Sequence, residues 1–247
     1  MTPPKLFLFL LPMLSLSPLA RGDDTQGLVI PLKQVSVSSP VLQEVIQHVL
    51  VEEGDTVKEN QILIELRKEK EDLEVKQAQQ IVEQKKFSAE GAQKLFNEKI
   101  GSKEVAIEKQ TEHELAKIQL AAAEVRLKEK TIRAPLGGIV VKKYKETGEA
   151  VDRVEKLVDV VNIDQVYVQF YLDPKLMQII KQDEEVRVRF PVIGDQDFAG
   201  KVSFIDPRID AGSGLFRVKV LIDNADHRIK AGMRGVADFA KLGGRNK

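Results

Sequence analysis

The spacing of apolar residues changes twice along the 247-residue chain. From Leu28 to Leu66, short runs rich in Val, Ile and Leu alternate with turn residues, a pattern typical of β-strands. From Arg67 to Lys130 the chain is dominated by Glu, Lys, Gln and Ala and contains no Pro, as helices usually are. From Thr131 onward Val, Ile, Gly and Pro return. The pattern therefore predicts a mainly β protein with one long α-helical block.

The helical block, residues 67–130, is predicted to be an antiparallel coiled-coil hairpin. In its first arm the expected seam follows alternating spacings of three and four: Val75, Ala78, Val82, Lys85, Ala89, Ala92 and Phe96. In the second arm the same rule selects Leu115, Ile118, Ala122 and Val125. Gly101 is expected to end the first helix and Ser102 to cap the second, with Glu104 favourable in its first turn. Most of the circumference of such a hairpin is polar, so it has to project into solvent or meet a partner.

The segments on either side of the hairpin contain an internal repeat. Gly54, Asp55 and Val57 match Gly148, Glu149 and Val151, and Leu63–Ile64–Glu65 matches Leu157–Val158–Asp159. A glycine followed by an acidic residue, one further residue and Val is typical of a tight turn that leads into a strand. Because neither copy can bury its apolar face alone, the two copies are predicted to face each other as a small β-sandwich that carries the hairpin as an insertion.

The last third of the chain is predicted to form a small β-barrel. An alternating strand, Gln165–Leu172, is followed by a short helix from Pro174 to Ile180. Further strands are expected at Val186–Phe190, Phe198–Ile205, Leu215–Ile222 and Gly235–Phe239. Several short strands with Gly and Pro turns suggest a barrel, and the first strand, near Leu28–Val35, is expected to return and pair with it.

The N-terminus has the features of a targeting segment. Lys5 precedes an apolar stretch from Leu6 to Ala20, which is shorter than the roughly 20 residues that cross a bilayer. Small residues at Ala20 and Gly22 suit cleavage before Asp23. Residues 1–22 are therefore predicted to be a signal peptide, with an uncleaved anchor as the alternative, and the rest of the chain is exported in either case.

These predictions divide the chain into seven segments. They are the signal peptide (1–22), an N-terminal segment that pairs with the barrel (23–36), the first half of the sandwich (37–66), the hairpin (67–130), the second half of the sandwich (131–161), the β-barrel (162–240) and a C-terminal tail (241–247).

Composition excludes several kinds of function. The chain has no Cys, which rules out disulfides, thiolate metal sites and Cys nucleophiles. Its formal net charge is zero, whereas nucleic-acid binding needs a basic face. The only histidines, His48, His113 and His227, are scattered over a strand, a hairpin arm and a turn. No catalytic, metal or cofactor site is predicted, and the chain is not expected to be an enzyme.

In the order of these parts the chain resembles the periplasmic adaptor, or membrane-fusion protein, family of efflux pumps and type I secretion systems. The resemblance is carried by the junction Thr131–Val140, by Asn224 and Asp226, and by Gly232–Met233. It implies a split biotinyl/lipoyl-like β-sandwich with a coiled-coil insertion, followed by a β-barrel. One departure is Glu44, which stands where the first half-motif of the family has Gly, whereas the second half keeps Gly138.

The resemblance also implies partners and a place in the cell. Adaptors of this family join an inner-membrane transporter, proton-driven or of the ABC type, to an outer-membrane channel and assemble as homo-oligomeric rings. The expected location is the periplasm, in association with the inner membrane. Transport of a substrate across the envelope, without any cofactor of the adaptor, is the implied function.

Two groups of residues are singled out. At the hairpin tip, Leu95 and Ser102 match the spacing of the family's channel-docking residues, but Gly91 stands at the position of an Arg. Docking is therefore expected either to be weaker or to use Lys94 or Lys99 instead. Four glycines are expected at structural turns: Gly54, Gly138, Gly148 and Gly232.

Two alternatives stay open at this stage. Lys68 lies near the place where a true lipoyl or biotinyl carrier displays its modified lysine, although the hairpin separates the two half-motifs there. The chain could also be a structural envelope protein that uses its coiled coil to assemble without any transporter.

Overall fold

The computed structural model of the protein describes residues 24–240 and residue 242. The predicted signal peptide and, apart from Leu242, the predicted C-terminal tail lie outside this range. The elements in chain order are β1 (Asp24–Ser38), β2 (Glu44–Val49), β3 (Thr56–Val57), β4 (Ile62–Leu66), α1 (Glu69–Asn97), α2 (Lys103–Glu129), β5 (Thr131–Arg133), β6 (Gly138–Lys143), β7 (Ala150–Val151), β8 (Lys156–Leu172), a 3₁₀ helix (Pro174–Gln178), β9 (Glu185–Arg189), β10 (Asp197–Ile209), β11 (Phe216–Asp223) and β12 (Arg234–Asp238).

The chain divides into two compact units. Within the described residues, the barrel unit consists of 24–27, Gln169–Val220, 234–240 and 242. The sandwich unit consists of Leu28–Val168 and Leu221–Met233 and contains the hairpin.

The barrel unit is built on a ring of strands. Its strands follow the order β1-β12-β9-β10-β11-β8, and β8 also pairs with β1, which closes the ring. Alternate residues point inward, as the period of two requires, and the interior includes a T-shaped pair of Phe170 and Phe239 with ring centroids 4.9 Å apart. Gly27 lies where a Cβ would come within 2.7 Å of the Phe170 ring, so the absence of a side chain there lets β1 approach β8.

The sandwich unit is held by a reciprocal exchange between the two sequence repeats. The Gly54 N–H donates to the Val140 carbonyl at 2.8 Å, and the Gly148 N–H donates to the Ile46 carbonyl at 2.9 Å. The strand pairs β2–β7 and β3–β6 likewise join one repeat to the other. One apolar core with contributions from both repeats results, as the internal repeat predicted.

The hairpin is inserted between two strands that are neighbours in this sandwich. β4 and β5 are antiparallel, with Glu65 opposite Thr131, and the Leu66 N–H donates to the Lys130 carbonyl at 2.8 Å. The chain therefore leaves and re-enters the sheet at adjacent points. The predicted fold class, mainly β with a long α-helical hairpin, is confirmed.

The predicted seam of α1 agrees with the structure, because all seven of its residues are buried or half-buried. The predicted seam of α2 is wrong: Leu115, Ile118, Ala122 and Val125 are exposed. The stripe that faces α1 is shifted by two residues and consists of Ala106, Lys109, His113, Ala116, Leu120, Ala123 and Leu127.

The shift has a physical basis in size and charge. Small residues allow the helices to approach closely, and Ala89 of α1 and Ala116 and Ala123 of α2 are all buried. Cross-helix ion pairs then fix the register, with Lys85 Nζ 2.7 Å from Glu112 and Arg126 Nη2 3.1 Å from Glu74. Leu115, Ile118 and Val125 are left on the outer face of α2, whereas Leu120 and Leu127 lie in the stripe that faces α1.

One further difference concerns β8. The sequence predicted a strand at Gln165–Leu172 and assigned Leu157–Val158–Asp159 to the second half of the sandwich, whereas Lys156–Leu172 form a single strand of 17 residues. Asn162 and Asp164 interrupt the apolar alternation, but Asn162 donates to the Gly137 carbonyl at 2.9 Å and so keeps its polar group satisfied in the extended chain. None of the helices in the described residues is both long and apolar enough to cross a membrane.

Candidate functional site

The hairpin tip begins where α1 ends at Asn97. The Lys99 N–H donates to the Phe96 carbonyl at 2.9 Å and the Ile100 N–H to the Leu95 carbonyl at 2.9 Å, which is the Schellman pattern of a helix C-terminus. Lys99 adopts the left-handed conformation, with φ of 61°, where a glycine is usual. The expectation that Gly101 itself ends the helix is therefore wrong, since Lys99 makes the turn.

Gly101 instead allows a close approach. A Cβ at this position would lie 3.1 Å from the Leu95 Cβ and 3.2 Å from the Phe96 backbone nitrogen. The Gly101 N–H also donates to the Leu95 carbonyl at 3.0 Å. The two arms can therefore turn tightly at this point because residue 101 has no side chain.

Ser102 caps the second helix, as the sequence predicted. Its Oγ accepts from the Glu104 backbone N–H at 3.1 Å and donates to Glu104 Oε2 at 2.9 Å. The cap satisfies one of the free amide groups at the start of α2. A partner that bound the Ser102 hydroxyl would have to share or replace these bonds.

The tip presents apolar surface next to charge. Leu95 is 48% exposed and Ile100 is 75% exposed, and the side chains of Lys94 and Lys99 are exposed beside them. Sequence analysis missed Ile100, although an isolated large apolar residue in the turn between two helices is a signal for it. The tip can therefore offer two apolar side chains and two ammonium groups to one partner.

Below the tip, ion pairs between charged side chains add to the apolar seam of the stem. The Glu112 carboxylate accepts hydrogen bonds from Lys109 Nζ and from Lys85 Nζ, each at 2.7 Å. Hydrogen bonds from these two lysines lower the pKa of the Glu112 carboxyl to about 2. The ion cluster therefore stays charged through the neutral and mildly acidic range and keeps the arms in register.

The four predicted turn glycines occupy positions that favour glycine. Gly54, Gly148 and Gly232 have φ of 98°, 91° and 90°, a conformation that costs other residues about 1–2 kcal/mol. Gly138 is needed for a different reason, because a Cβ there would lie 2.4 Å from the Val161 carbonyl oxygen. These residues shape the sandwich unit and lie apart from the tip.

The remaining candidates do not converge on a chemical site. Lys68 is at the N-cap of α1 with its Nζ 2.9 Å from Glu65, not in a turn between two half-motifs. His48 is exposed on β2 and His113 is buried in the seam, while His227 Nε2 lies 2.8 Å from Asp164. Within residues 24–240 and 242, no three acidic or histidine side chains come together in a way that could hold a metal ion.

Comparison with known proteins agrees with this architecture. Residues 165–242 match the family model of the CusB-like beta-barrel domain. The chain is similar to nodulation protein NolF of Rhizobium meliloti, at 26% identity over 121 residues, covering 49% of this chain and 33% of that protein. It is also similar to the efflux pump periplasmic linker BepD of Brucella suis, at 26% identity over 210 residues, covering 73% of this chain and 53% of that protein. The chain thus spans about a third to a half of the length of these relatives.

Among solved structures, the fold is similar to that of a MacA-MexA chimeric protein that contains the MexA α-hairpin domain of Pseudomonas aeruginosa. The TM-score is 0.77 at 16% identity, covering 87% of this chain and 80% of the chimera. The resemblance to the membrane-fusion protein family is confirmed by the barrel domain, the relatives and the fold together.

Two glycines near the tip should respond oppositely to the same substitution. Gly91 lies inside α1, and no atom comes within 4 Å of the position that a methyl group would occupy there, so Gly91→Ala should stabilise the helix by about 1 kcal/mol. Gly101→Ala should destabilise the hairpin by about 1 kcal/mol or more, because the new methyl group would crowd Leu95 and the backbone. Urea unfolding followed by circular dichroism at 222 nm measures both. Equal effects of the two variants would contradict the described tip geometry.

Proposed function

We propose that this protein is a periplasmic adaptor that connects an inner-membrane transporter to an outer-membrane channel during efflux or secretion. The proposal rests on one observation above all, the apolar tip at the end of a long, charged stem. α1 has 29 residues, so the hairpin extends about 43 Å at 1.5 Å per residue. An apolar tip held that far from the core can reach a partner that the rest of the chain does not touch.

The composition of the tip favours a helical protein partner. Leu95 and Ile100 would supply apolar contact, while Lys94 and Lys99 would pair with acidic side chains at the rim of the contact. Gly91 leaves a helix face without any side chain beside Leu95. This allows close packing of a partner helix at the place where an Arg is expected from the family resemblance.

The outer face of α2 supports assembly with further copies of the chain. Leu115, Ile118 and Val125 are each more than half exposed, and with Ala122 they follow spacings of three and four. We call this row the outer stripe. It points away from α1, because the stripe that contains His113 and Ala116 lies on the opposite side of α2 and faces α1. A row of apolar residues at coiled-coil spacing is expected to be buried against another helix.

The opposite flank of the hairpin carries matching residues. Leu73 and Phe87 of α1 are 65% and 80% exposed. Leu73 lies level with Val125, because its neighbour Glu74 pairs with Arg126 across the hairpin. Phe87 is two residues from Lys85, which pairs with Glu112, so it lies within about a turn and a half of Leu115. Copies that stand side by side in the same orientation would therefore bring apolar residues together at both levels, as a ring requires.

The docking role of the tip is tested by Leu95→Asp. A carboxylate at the centre of an apolar contact should abolish transport, because it would be buried without a partner. It should leave the thermal transition within about 1 °C of wild type, since Leu95 is half exposed and packs little of the core. Accumulation of a fluorescent pump substrate in cells that express the variant in place of the wild-type chain measures transport.

A matched control is Leu50→Asp, because Leu50 is 51% exposed but lies in the sandwich, far along the chain from the tip. This variant should transport normally. Normal transport by Leu95→Asp would remove the tip from the mechanism, and a lowered thermal transition would assign Leu95 to packing of the hairpin. An envelope scaffold without a transporter would leave dye accumulation unchanged even when the whole chain is deleted.

Ring assembly is tested by Ile118→Lys. Complete burial of an Ile side chain contributes about 1.5–3 kcal/mol, so its replacement should weaken association by at least about tenfold. Gln119→Lys, one residue away on an exposed position outside the outer stripe, adds the same charge and should have little effect. Sedimentation velocity over a concentration series compares the variants. A wild-type chain that stays monomeric at about 100 µM would contradict the ring.

A further inference from the structure

The base of the hairpin contains a buried cluster of one lysine and two glutamates. Lys130, directly after α2, is 7% exposed. Its Nζ contacts Glu44 Oε2 and lies 3.0 Å from Glu71 Oε1. Glu44 begins β2 of the sandwich, and Glu71 lies in the first turn of α1. One ammonium group therefore joins both arms of the hairpin to a strand of the sandwich.

This cluster accounts for the unexpected Glu at position 44. In the second repeat the corresponding Gly138 has no room for a Cβ, which would meet the Val161 carbonyl at 2.4 Å. In the first repeat the position is open toward the hairpin base, and a carboxylate there reaches Lys130. Burial alone would raise the pKa of Glu44, but the hydrogen bonds from Lys130 and from the Val45 N–H together bring it below its usual value.

Few other polar contacts tie the hairpin to the sandwich. The Arg67 N–H donates to the Val45 carbonyl at 2.9 Å, and Lys68 Nζ at the N-cap of α1 lies 2.9 Å from Glu65 of β4. Gln47 Nε2 reaches Glu69 at 3.4 Å, a long bond between exposed groups. The backbone hydrogen bonds lie where the chain passes between the sandwich and the hairpin. A hinge between these two parts would lie at the same place. The Lys130 cluster is the contact that joins all three elements through side chains.

We propose that Lys130 is a positioning residue that fixes the direction in which the hairpin leaves the sandwich, by holding Glu44 and Glu71 in one buried cluster. The functional importance of this direction rests on the proposal above that the tip docks on a partner. A tilt of 10° at the base of a hairpin about 43 Å long moves the tip by about 7–8 Å, more than one helical turn of about 5.4 Å. A partner that recognises Leu95 would lose register over that distance.

A buried ion pair often contributes little net stability, because the cost of removing charges from water offsets their attraction. Its better attested role is to favour one arrangement over others. Replacement of Lys130 by Met would leave two carboxylates facing each other without a cation, and their repulsion would open the junction. The cluster is therefore expected to control direction more than helix content.

The absence of Cys from the chain makes spin labelling direct. We would introduce cysteines at Gln84 on the stem and Glu59 on the sandwich, both exposed, and measure the distance between nitroxide labels by pulsed electron paramagnetic resonance. Lys130→Met should at least double the width of the distance distribution or shift its mean by about 4 Å, the displacement that a 10° tilt gives at Gln84, about 22 Å along α1 from its start. Lys130→Arg, which keeps the charge, should restore most of the wild-type distribution.

Lys143→Met is the matched control. Lys143 also binds two glutamates, with Nζ 2.7 Å from Glu52 and 2.9 Å from Glu146, and its side chain is 10% exposed. It lies in the sandwich and its two ion-pair partners lie outside both helices. Its replacement should leave the distance distribution unchanged.

If Lys130→Met fails to fold, Glu44→Gln provides the test, because it removes one of the two anions and leaves Lys130 paired with Glu71. A broadened distribution in Glu44→Gln would support the proposal. A wild-type distribution in every folded variant, or equal broadening by Lys143→Met, would overturn it. The measurement uses the isolated protein and needs no partner, so its result is independent of whether Leu95→Asp blocks transport.

Discussion

The reciprocal hydrogen bonds between the two sequence repeats are the constraint on which the rest of the structure depends. Each glycine turn donates its N–H to a strand of the other repeat, Gly54 to Val140 and Gly148 to Ile46. Neither half can form its core alone, because the buried residues come from both. The chain between the halves is therefore free in length, provided that its ends return to the adjacent strands β4 and β5. The hairpin is the segment that fills this position between β4 and β5.

The hairpin itself is unusual in where it places its apolar residues. The stripe of α2 that faces α1 contains three Ala, two Leu, one Lys and one His, whereas Leu115, Ile118 and Val125 face outward. Ion pairs, small residues and part of the larger apolar residues hold the arms together, while Leu115, Ile118 and Val125 stay available for partners. The tip also leaves apolar side chains exposed: Leu95 and Ile100 are exposed, while Ser102 caps α2. Assembly and docking surfaces thus occupy different parts of one element.

Much of this fold could be predicted from the sequence, because its signals are local. The change from period-two to period-three-and-four spacing located the strands and the hairpin, and the glycine turns revealed the repeat. The α2 seam could not be predicted, because two stripes of that helix share the same spacing and only contact with α1 decides between them. The left-handed turn at Lys99 was also hidden, since glycine at 101 is the stronger local signal. The Lys130–Glu44 contact joins residues 86 positions apart, which no local pattern shows. The docking roles of Lys94, Leu95, Lys99 and Ser102 stay predictions.

The central claim is that the β-sandwich folds without the hairpin, which is an insertion that projects from it. It is tested most directly by replacing residues 68–129 with a short Gly-containing turn between Arg67 and Lys130. The Leu66 N–H already donates to the Lys130 carbonyl across this junction. Urea unfolding of this variant, followed by far-ultraviolet circular dichroism, should show a β-type spectrum and a single cooperative transition. The loss of any cooperative transition would mean that the hairpin is part of the core, and would contradict the account.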